Sequence, residues 1–220
     1  ADEANATECK LCPRGRHSAV PRATDNTNCS SCLPGKYSDK DGAKESSTCK
    51  PCPAGRWSNE KAAPSETSCH MCEAGRYSEQ TARTDVSTCV PCAAGRRSAR
   101  VGSGTLVDCG ACAVGLYQTE NASTFCLPCL PGRFTNYSES ATCSMCPMGY
   151  FQRSAEAVEC TPADAGYVVN ANGTTTALPC AAGTYSDTSA STSCKPCVAG
   201  RYQDDAGQTL CKLAQEGYCV

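Results

Sequence analysis

Large apolar side chains stand singly along this chain, each at a fixed place in a short polar word. The word is clearest in Cys49-Lys50-Pro51-Cys52-Pro53-Ala54-Gly55-Arg56-Trp57-Ser58: Cys-x-x-Cys, then x-x-Gly, a basic residue, an aromatic and a Ser. Aromatics recur in that place as Tyr37, Trp57, Tyr77, Tyr117, Phe134, Phe151, Tyr185 and Tyr202, in eight of twelve slots. The residues around them alternate weakly, as a short half-buried strand would. Polar linkers such as Asp39-Lys40-Asp41-Gly42 and Asp204-Asp205-Ala206-Gly207 then turn the chain back. Pro51, Pro91, Pro128 and Pro196 sit inside Cys pairs and oppose a helix there. Each slot is therefore expected to form a short irregular β-hairpin, or a pair of extended segments, with no helix.

The word repeats with a fixed period, which marks a repeat architecture. Its first Cys falls at Cys9, Cys29, Cys49, Cys69, Cys89 and Cys109, a spacing of twenty. It continues at Cys126, Cys143 and Cys160, is replaced by Ala177, and resumes at Cys194 and Cys211, a spacing of seventeen. After a polar lead-in, residues 1–125 thus read as repeats of period twenty with the last one shortened, since Cys109 to Cys126 spans seventeen. Residues 126–220 read as repeats of period seventeen. All twelve slots, from Gly15 to Gly217, carry the Gly after the Cys pair. That position implies positive φ or a close backbone approach. The aromatic is expected to lie across the neighbouring cross-link.

Composition decides how such repeats hold together. Twenty-two Cys in 220 residues, against three Phe and one Trp, is the balance of a disulfide scaffold. One repeat cannot bury enough apolar surface to offset the entropy of ordering it, so cross-links must do so. Dense disulfides persist in oxidising compartments, which places the protein outside the cytosol, extracellular or at a cell surface. The chain starts at Ala1 with no apolar leader, so a leader has been removed or the chain is a fragment. No run approaches the roughly 18 apolar residues of a membrane span.

Charge adds little. The formal net charge is −2. Residues 1–112 hold 15 Lys and Arg against 13 acids, and residues 113–220 hold 5 against 9. The basic residues after the Gly (Arg16, Lys36, Arg56, Arg76, Arg96, Arg133 and Arg201) read as a solvated face interleaved with acids. Nucleic-acid binding needs a clustered stripe instead. Catalysis also lacks material: the two His, His17 and His70, sit in variable positions, and Gly102-Ser103-Gly104 lacks the following Lys and helix of a phosphate loop. The expectation is a protein that is not an enzyme and uses no cofactor and no metal.

Cys-x-Pro-Cys-x-x-Gly-x-Tyr-Ser, with Ser or Thr just before the next Cys, resembles the ephrin-receptor-like cysteine-rich repeat, a relative of the tumour-necrosis-factor-receptor modules. The resemblance runs along essentially the whole chain. It implies a slender disulfide ladder with little regular secondary structure and no catalytic residues. Departures are His17, Arg97 and Val168 at the aromatic place and a degenerate last slot. Protozoan surface antigens rich in Cys-x-x-Cys share the composition but not the regular period.

Two damaged slots bear on the pairing. The second Cys is missing at Ala163 and the first at Ala177. If each second Cys bonds the next slot's first Cys, one bridge is lost cleanly and no internal thiol is orphaned. The ladder is then Cys12–Cys29, Cys32–Cys49, Cys52–Cys69, Cys72–Cys89, Cys92–Cys109, Cys112–Cys126, Cys129–Cys143, Cys146–Cys160, Cys180–Cys194 and Cys197–Cys211. Joining each first Cys to the next slot's second Cys strands Cys143, Cys194 and Cys197. Closing each Cys-x-x-Cys on itself, with Cys160 joined to Cys180, also uses every internal thiol but constrains little chain. A bridge-deficient joint is expected near 160–180. Cys9 and Cys219 are left over and are candidates for an intermolecular disulfide.

Cys-x2-Cys-x16-Cys-x2-Cys over Cys9, Cys12, Cys29 and Cys32 also matches zinc-ribbon spacing, which keeps a zinc-binding repeat as an alternative. A redox Cys-x-x-Cys would need a helix N-terminus that this turn-rich setting lacks. Five sequons argue for a secreted glycoprotein instead: Asn5-Ala6-Thr7, Asn28-Cys29-Ser30, Asn121-Ala122-Ser123, Asn136-Tyr137-Ser138 and Asn172-Gly173-Thr174.

The resulting expectation is a small disulfide-rich fold: an elongated, solenoid-like rod of about twelve short β-hairpin or irregular repeats with a disulfide ladder. At roughly two strand spacings per slot, about 10 Å, twelve slots span on the order of 100 Å. The expected role is structural, as a stalk or building block of an extracellular filament, matrix or cell coat. Its partners would be copies of itself or neighbouring subunits, together with N-linked glycans. The alternative is a ligand-binding receptor ectodomain, which should show an insertion or an exposed apolar patch.

Overall fold

A computed structural model describes residues 11–20 and 28–215. Asn5, Cys9 and Cys219 lie outside the described residues. The rest folds as small two-stranded sheets, eleven among the described residues, with no α-helix among them. Each strand is two residues long.

The hairpins form between slots. Lys36–Tyr37, in the Gly-basic-aromatic word of one slot, pairs antiparallel with Lys50–Pro51, inside the Cys pair of the next. The register sets Lys36 opposite Pro51 and Tyr37 opposite Lys50. Arg56–Trp57 pairs with His70–Met71 in the same way, and Arg201–Tyr202 with Lys212–Leu213. The Gly belongs to the tight turn that feeds the first strand: Lys36 N–H donates to Leu33 C=O at 3.1 Å, and Gly35 has φ +77°. A four-residue turn whose third residue needs positive φ is the type II pattern, so Gly is the residue for that place. Pro51 and its equivalents fit because a two-residue strand asks little of their missing N–H.

Three backbone hydrogen bonds tie each step to the next. Gly35 N–H donates to Ser58 C=O at 2.8 Å, Ser38 N–H to Ala63 C=O at 3.1 Å, and Ala62 N–H to Cys32 C=O at 2.9 Å. The shorter repeats use the same set: Gly132 to Gln152 at 2.8 Å, Thr135 to Ala157 at 3.1 Å, and Glu156 to Cys129 at 2.8 Å. Ala62 and Glu156 lie in the left-handed region, with φ 58° and 59°. The linker turn therefore holds non-Gly residues in a conformation that costs roughly 1–2 kcal/mol. Its N–H bond to the preceding Cys carbonyl holds it there.

The change of period has a local cause. The 3₁₀ turns Ser46–Thr48, Glu66–Ser68, Val86–Thr88 and Leu106–Asp108 stand just before Cys49, Cys69, Cys89 and Cys109. The seventeen-residue steps lack this extra turn, and their bridges close over 14 residues instead of 17. At the third of these turns the preceding residue is the cap: the Asp85 carboxylate accepts from Ser87 N–H at 2.8 Å.

The interior is cystine and small side chains. Cys52, Cys92, Cys112, Cys129 and Cys146 are fully buried, along with Ala43, Ala63, Ser38 and Ser58. Tyr37 is buried with Cys52, Ala63 and Cys69, so its ring covers the Cys52–Cys69 bridge. The residues group into two compact units, one reaching to Gly110 and including Asn121–Phe125, the other made of Ala111–Glu120 and the chain from Cys126 onward.

Candidate functional site

Ten disulfides are the principal chemistry of the molecule. They join Cys12 to Cys29, Cys32 to Cys49, Cys52 to Cys69, Cys72 to Cys89 and Cys92 to Cys109. In the second unit they join Cys112 to Cys126, Cys129 to Cys143, Cys146 to Cys160, Cys180 to Cys194 and Cys197 to Cys211. Each pairs the second Cys of one slot with the first Cys of the next. Neither closure within one Cys-x-x-Cys nor a tetrathiolate zinc ribbon is formed by these sulfurs, because each is already bonded to another.

The step without a bridge keeps its frame. Ala163 is fully buried, its N–H donates to Gly149 C=O at 2.9 Å, and its C=O accepts from Ala190 N–H at 2.8 Å. Cys146 makes the equivalent pair of bonds with Gly132 and Gly173. Val168 and Val169 are buried there, and Val169 N–H donates to Ser191 C=O at 3.0 Å. Val169 stands where Ser38, Ser58 and Ser186 stand in other steps. Apolar volume thus accompanies the missing cystine, a compensation the sequence carried in plain view as the pair Val168-Val169.

The basic row departs from the expected solvated face. The guanidinium groups of Arg16, Arg56, Arg76 and Arg96 donate through Nη1 to the carbonyl oxygens of Cys29, Cys69, Cys89 and Cys109 at 3.1, 3.2, 3.0 and 2.9 Å. Arg133 and Arg201 do the same to Cys143 and Cys211, each at 3.1 Å. An Arg after the Gly is thus a brace on the backbone of the bridge that joins its slot to the next.

Other charged groups are exposed pairs. Hydrogen bonds from Lys50, Lys195 and Lys212 hold the Asp39, Asp187 and Asp204 carboxyls below their usual range. Tyr37 is shifted the other way: burial, then the nearby Glu66 carboxylate, raises its phenol above the ordinary value. His70 lies against Trp57, ring centroids 5.0 Å apart. His17 takes the aromatic's place, with Nδ1 3.6 Å from Cys49 Sγ. His17, Cys32 and Cys49 bring three ligand atoms within 4.8 Å of one another, but both sulfurs belong to one disulfide and are not thiolates. This cluster therefore has no metal-binding donor set.

Four of the five sequon asparagines are described, and all four are exposed: Asn28, Asn121, Asn136 and Asn172. Asn121 Oδ1 accepts from Ala94 N–H at 2.9 Å, and Asn172 Oδ1 accepts from Met148 N–H at 3.0 Å. No helix among the described residues is long and apolar enough to cross a membrane.

Residues 101–142 match the family described as tyrosine-protein kinase ephrin type A/B receptor-like. No curated protein matches the chain. Repeats of this family are generally non-catalytic and belong to extracellular proteins. The matched segment holds a 3₁₀ turn, parts of three hairpins and the Cys112–Cys126 bridge, the same parts from which the other steps are made. With its ladder of ten disulfides, the chain is a cysteine-rich repeat protein, similar over residues 101–142 to the ephrin-receptor-like family.

Proposed function

We propose that the chain is a structural segment of an extracellular assembly, a stalk or a building block of a filament, matrix or cell coat. One observation carries this reading. The same three step-to-step hydrogen bonds recur in both units, at spacings of twenty or seventeen, with no inserted loop among the described residues. A chain organised in this way supplies covalent and hydrogen-bonded continuity, and its side-chain chemistry goes into holding the repeat together. Copies of the chain or neighbouring subunits are its partners, with Cys9 and Cys219 the candidates for a bond between molecules.

The receptor reading rests on a depression in the last step, lined by Tyr185, Val198, Arg201, Leu210 and Cys211, with Val198 and Leu210 exposed. Its volume of about 160 Å³ is below the roughly 300–1,000 Å³ of small-molecule sites. The larger depression of about 390 Å³ at His17, Lys44 and Glu45 is lined mainly by polar and charged side chains rather than the apolar ones such sites favour. The structural reading is therefore favoured. Sedimentation velocity and non-reducing electrophoresis of the secreted full chain test it. Multimers that collapse on reduction, and that are lost in Cys9→Ser or Cys219→Ser, support it. Monomers at all concentrations, with a soluble partner captured through the last step and lost in Val198→Asp, support the receptor reading instead.

A further inference from the structure

We infer that Asn121 and Asn172 are N-glycan attachment sites whose carboxamides also clamp one step to the step before it. The inference rests on the extracellular reading of the chain.

The two asparagines occupy the same place in the fold. Each directly precedes the left-handed residue of the linker turn, Ala122 with φ 58° and Gly173 with φ 71°. The N–H groups of these residues donate to Cys92 C=O and Cys146 C=O, both at 2.8 Å. Beside that bond, each asparagine Oδ1 accepts from the second residue of the preceding tight turn, Ala94 or Met148, at 2.9 and 3.0 Å. The partner is an N–H donor in both cases, so Oδ1 must face it and Nδ2 must point away. Both residues are exposed, and Nδ2 of neither has a partner among the described residues.

This geometry accommodates the product of transfer. A lipid-linked sugar diphosphate is the glycosyl donor. The anomeric C–O bond to its diphosphate breaks, the Nδ2–C bond forms, and one Nδ2 proton is lost as the diphosphate leaves. Oδ1 keeps its lone pairs, so the clamp survives the modification.

Thr174 supplies a separate observation. Its hydroxyl is buried and has no hydrogen-bond partner. Ala43, Ala63 and Ala157 fill the equivalent place in some steps and Ser103, Ser140 and Ser191 in others, each offering its carbonyl to an N–H of the preceding step as Thr174 does to Gln152. The hydroxyls of those three serines, however, are hydrogen-bonded. A buried hydroxyl without a partner is a cost to the folded state. The acceptor motif of Asn172 needs that hydroxyl while the chain is still extended. Asn28 differs from both sites. The middle residue of its sequon, Cys29, is buried in the bridge to Cys12, and Ser30 is paired with His17, so a glycan there competes with closing the first step. Asn136 is exposed and makes no such cross-step bond among the described residues, which makes it a control.

The test is glycopeptide mapping of the full chain secreted by cells that add N-glycans. Asn121 and Asn172 should be occupied and Asn28 empty. Thr174→Ala should lose one glycan and Thr174→Ser should keep it. Made without glycans in an oxidising bacterial compartment, Thr174→Ala should melt no lower than the parent. Amide exchange at Ala94 should be several-fold faster in Asn121→Gln and unchanged in Asn136→Gln. Unmodified Asn121 and Asn172 in a secreted, fully oxidised protein would overturn the inference. So would a lowered melting temperature in unglycosylated Thr174→Ala, or unchanged Ala94 exchange in Asn121→Gln. Retention inside the cell with free thiols would instead count against the extracellular reading.

Discussion

A methyl group on Gly15 would lie 2.0 Å from the carbonyl oxygen of Ala62, a residue two slots further along the chain. The relation repeats between Gly35 and Ala82 at 2.3 Å, Gly75 and Ala122 at 1.9 Å, and Gly149 and Ala190 at 2.3 Å. Each Gly therefore serves twice. Its positive φ closes a tight turn, and its bare Cα admits the backbone of the linker turn. At Gly183 and Gly200 φ is again positive, but among the described residues nothing lies within 4 Å of the added carbon, because the linker turn two slots on falls past residue 220.

That contrast separates two costs. Gly200→Ala should lose only the conformational term, about 1–2 kcal/mol. Gly75→Ala must also push backbone aside, adding a further roughly 1–3 kcal/mol of overpacking. Urea unfolding of the two variants should show Gly75→Ala clearly the less stable. Equal losses would mean that the close approach carries no energetic weight.

Ala163 and Ala177 fill one bridge's two places. Restoring Cys at either position alone should yield one additional thiol that labels in denaturant. The double variant should label no more than the parent and gain about 3 kcal/mol from closing a loop of this size. Equal extra labelling in the singles, with twice that amount in the double, would show that the two positions do not meet.

Val169 stabilises that same step. Val169→Ser gives it the residue found in bridged steps, without their bridge. The loss should be about 1.5–3 kcal/mol, the worth of a buried aliphatic side chain. Limited proteolysis should then cut first between residues 160 and 180, and Ala163→Cys with Ala177→Cys should restore resistance. Unchanged cleavage would assign the step's order to its backbone bonds alone.

Dependence on pH should be asymmetric in origin and shallow in size. Asp39, Asp187 and Asp204 are held below their usual range by hydrogen bonds from lysines, so what they contribute is present above the ordinary carboxylate pKa. It fades as pH falls through their lowered values. Tyr37 is raised above 10.0 by burial and then by Glu66, and Lys50 is raised by its bond to Asp39. Their contribution is intact below the ordinary values and is lost as pH rises through the raised ones. The lysine pairs are exposed, so salt should erase the acid limb. Tyr37→Phe should flatten the alkaline limb. An alkaline loss of equal size in that variant would place its origin elsewhere.

Much of this was legible in the sequence because the repeat states it twelve times. The place of Gly55 demanded positive φ or close approach, and Gly15, Gly35, Gly55, Gly75, Gly115, Gly132, Gly149 and Gly166 have both. Tyr37 was expected over a neighbouring bridge and covers Cys52–Cys69. Other features depend on which step meets which, and period alone does not say. The hairpin partner of Tyr37 is Lys50 in the next slot, and the contact of Gly15 is Ala62 two slots on. Arg76 looked like surface charge because its acceptor, Cys89 C=O, is a backbone atom and leaves no mark in side-chain pattern. Ala62 at φ 58° was also hidden, since nothing in Ala advertises a left-handed turn.

The pairing of each second Cys with the next slot's first Cys is tested most directly by proteolysis of the unreduced, thiol-blocked secreted protein and mass mapping of linked peptides. Peptides joined through Cys52–Cys69, Cys72–Cys89 and Cys180–Cys194 should appear, with none joined through Cys52 and Cys49 alone. Peptides closed within single Cys-x-x-Cys pairs, or thiols that become labelled only when zinc is chelated, would contradict the ladder and the fold built on it.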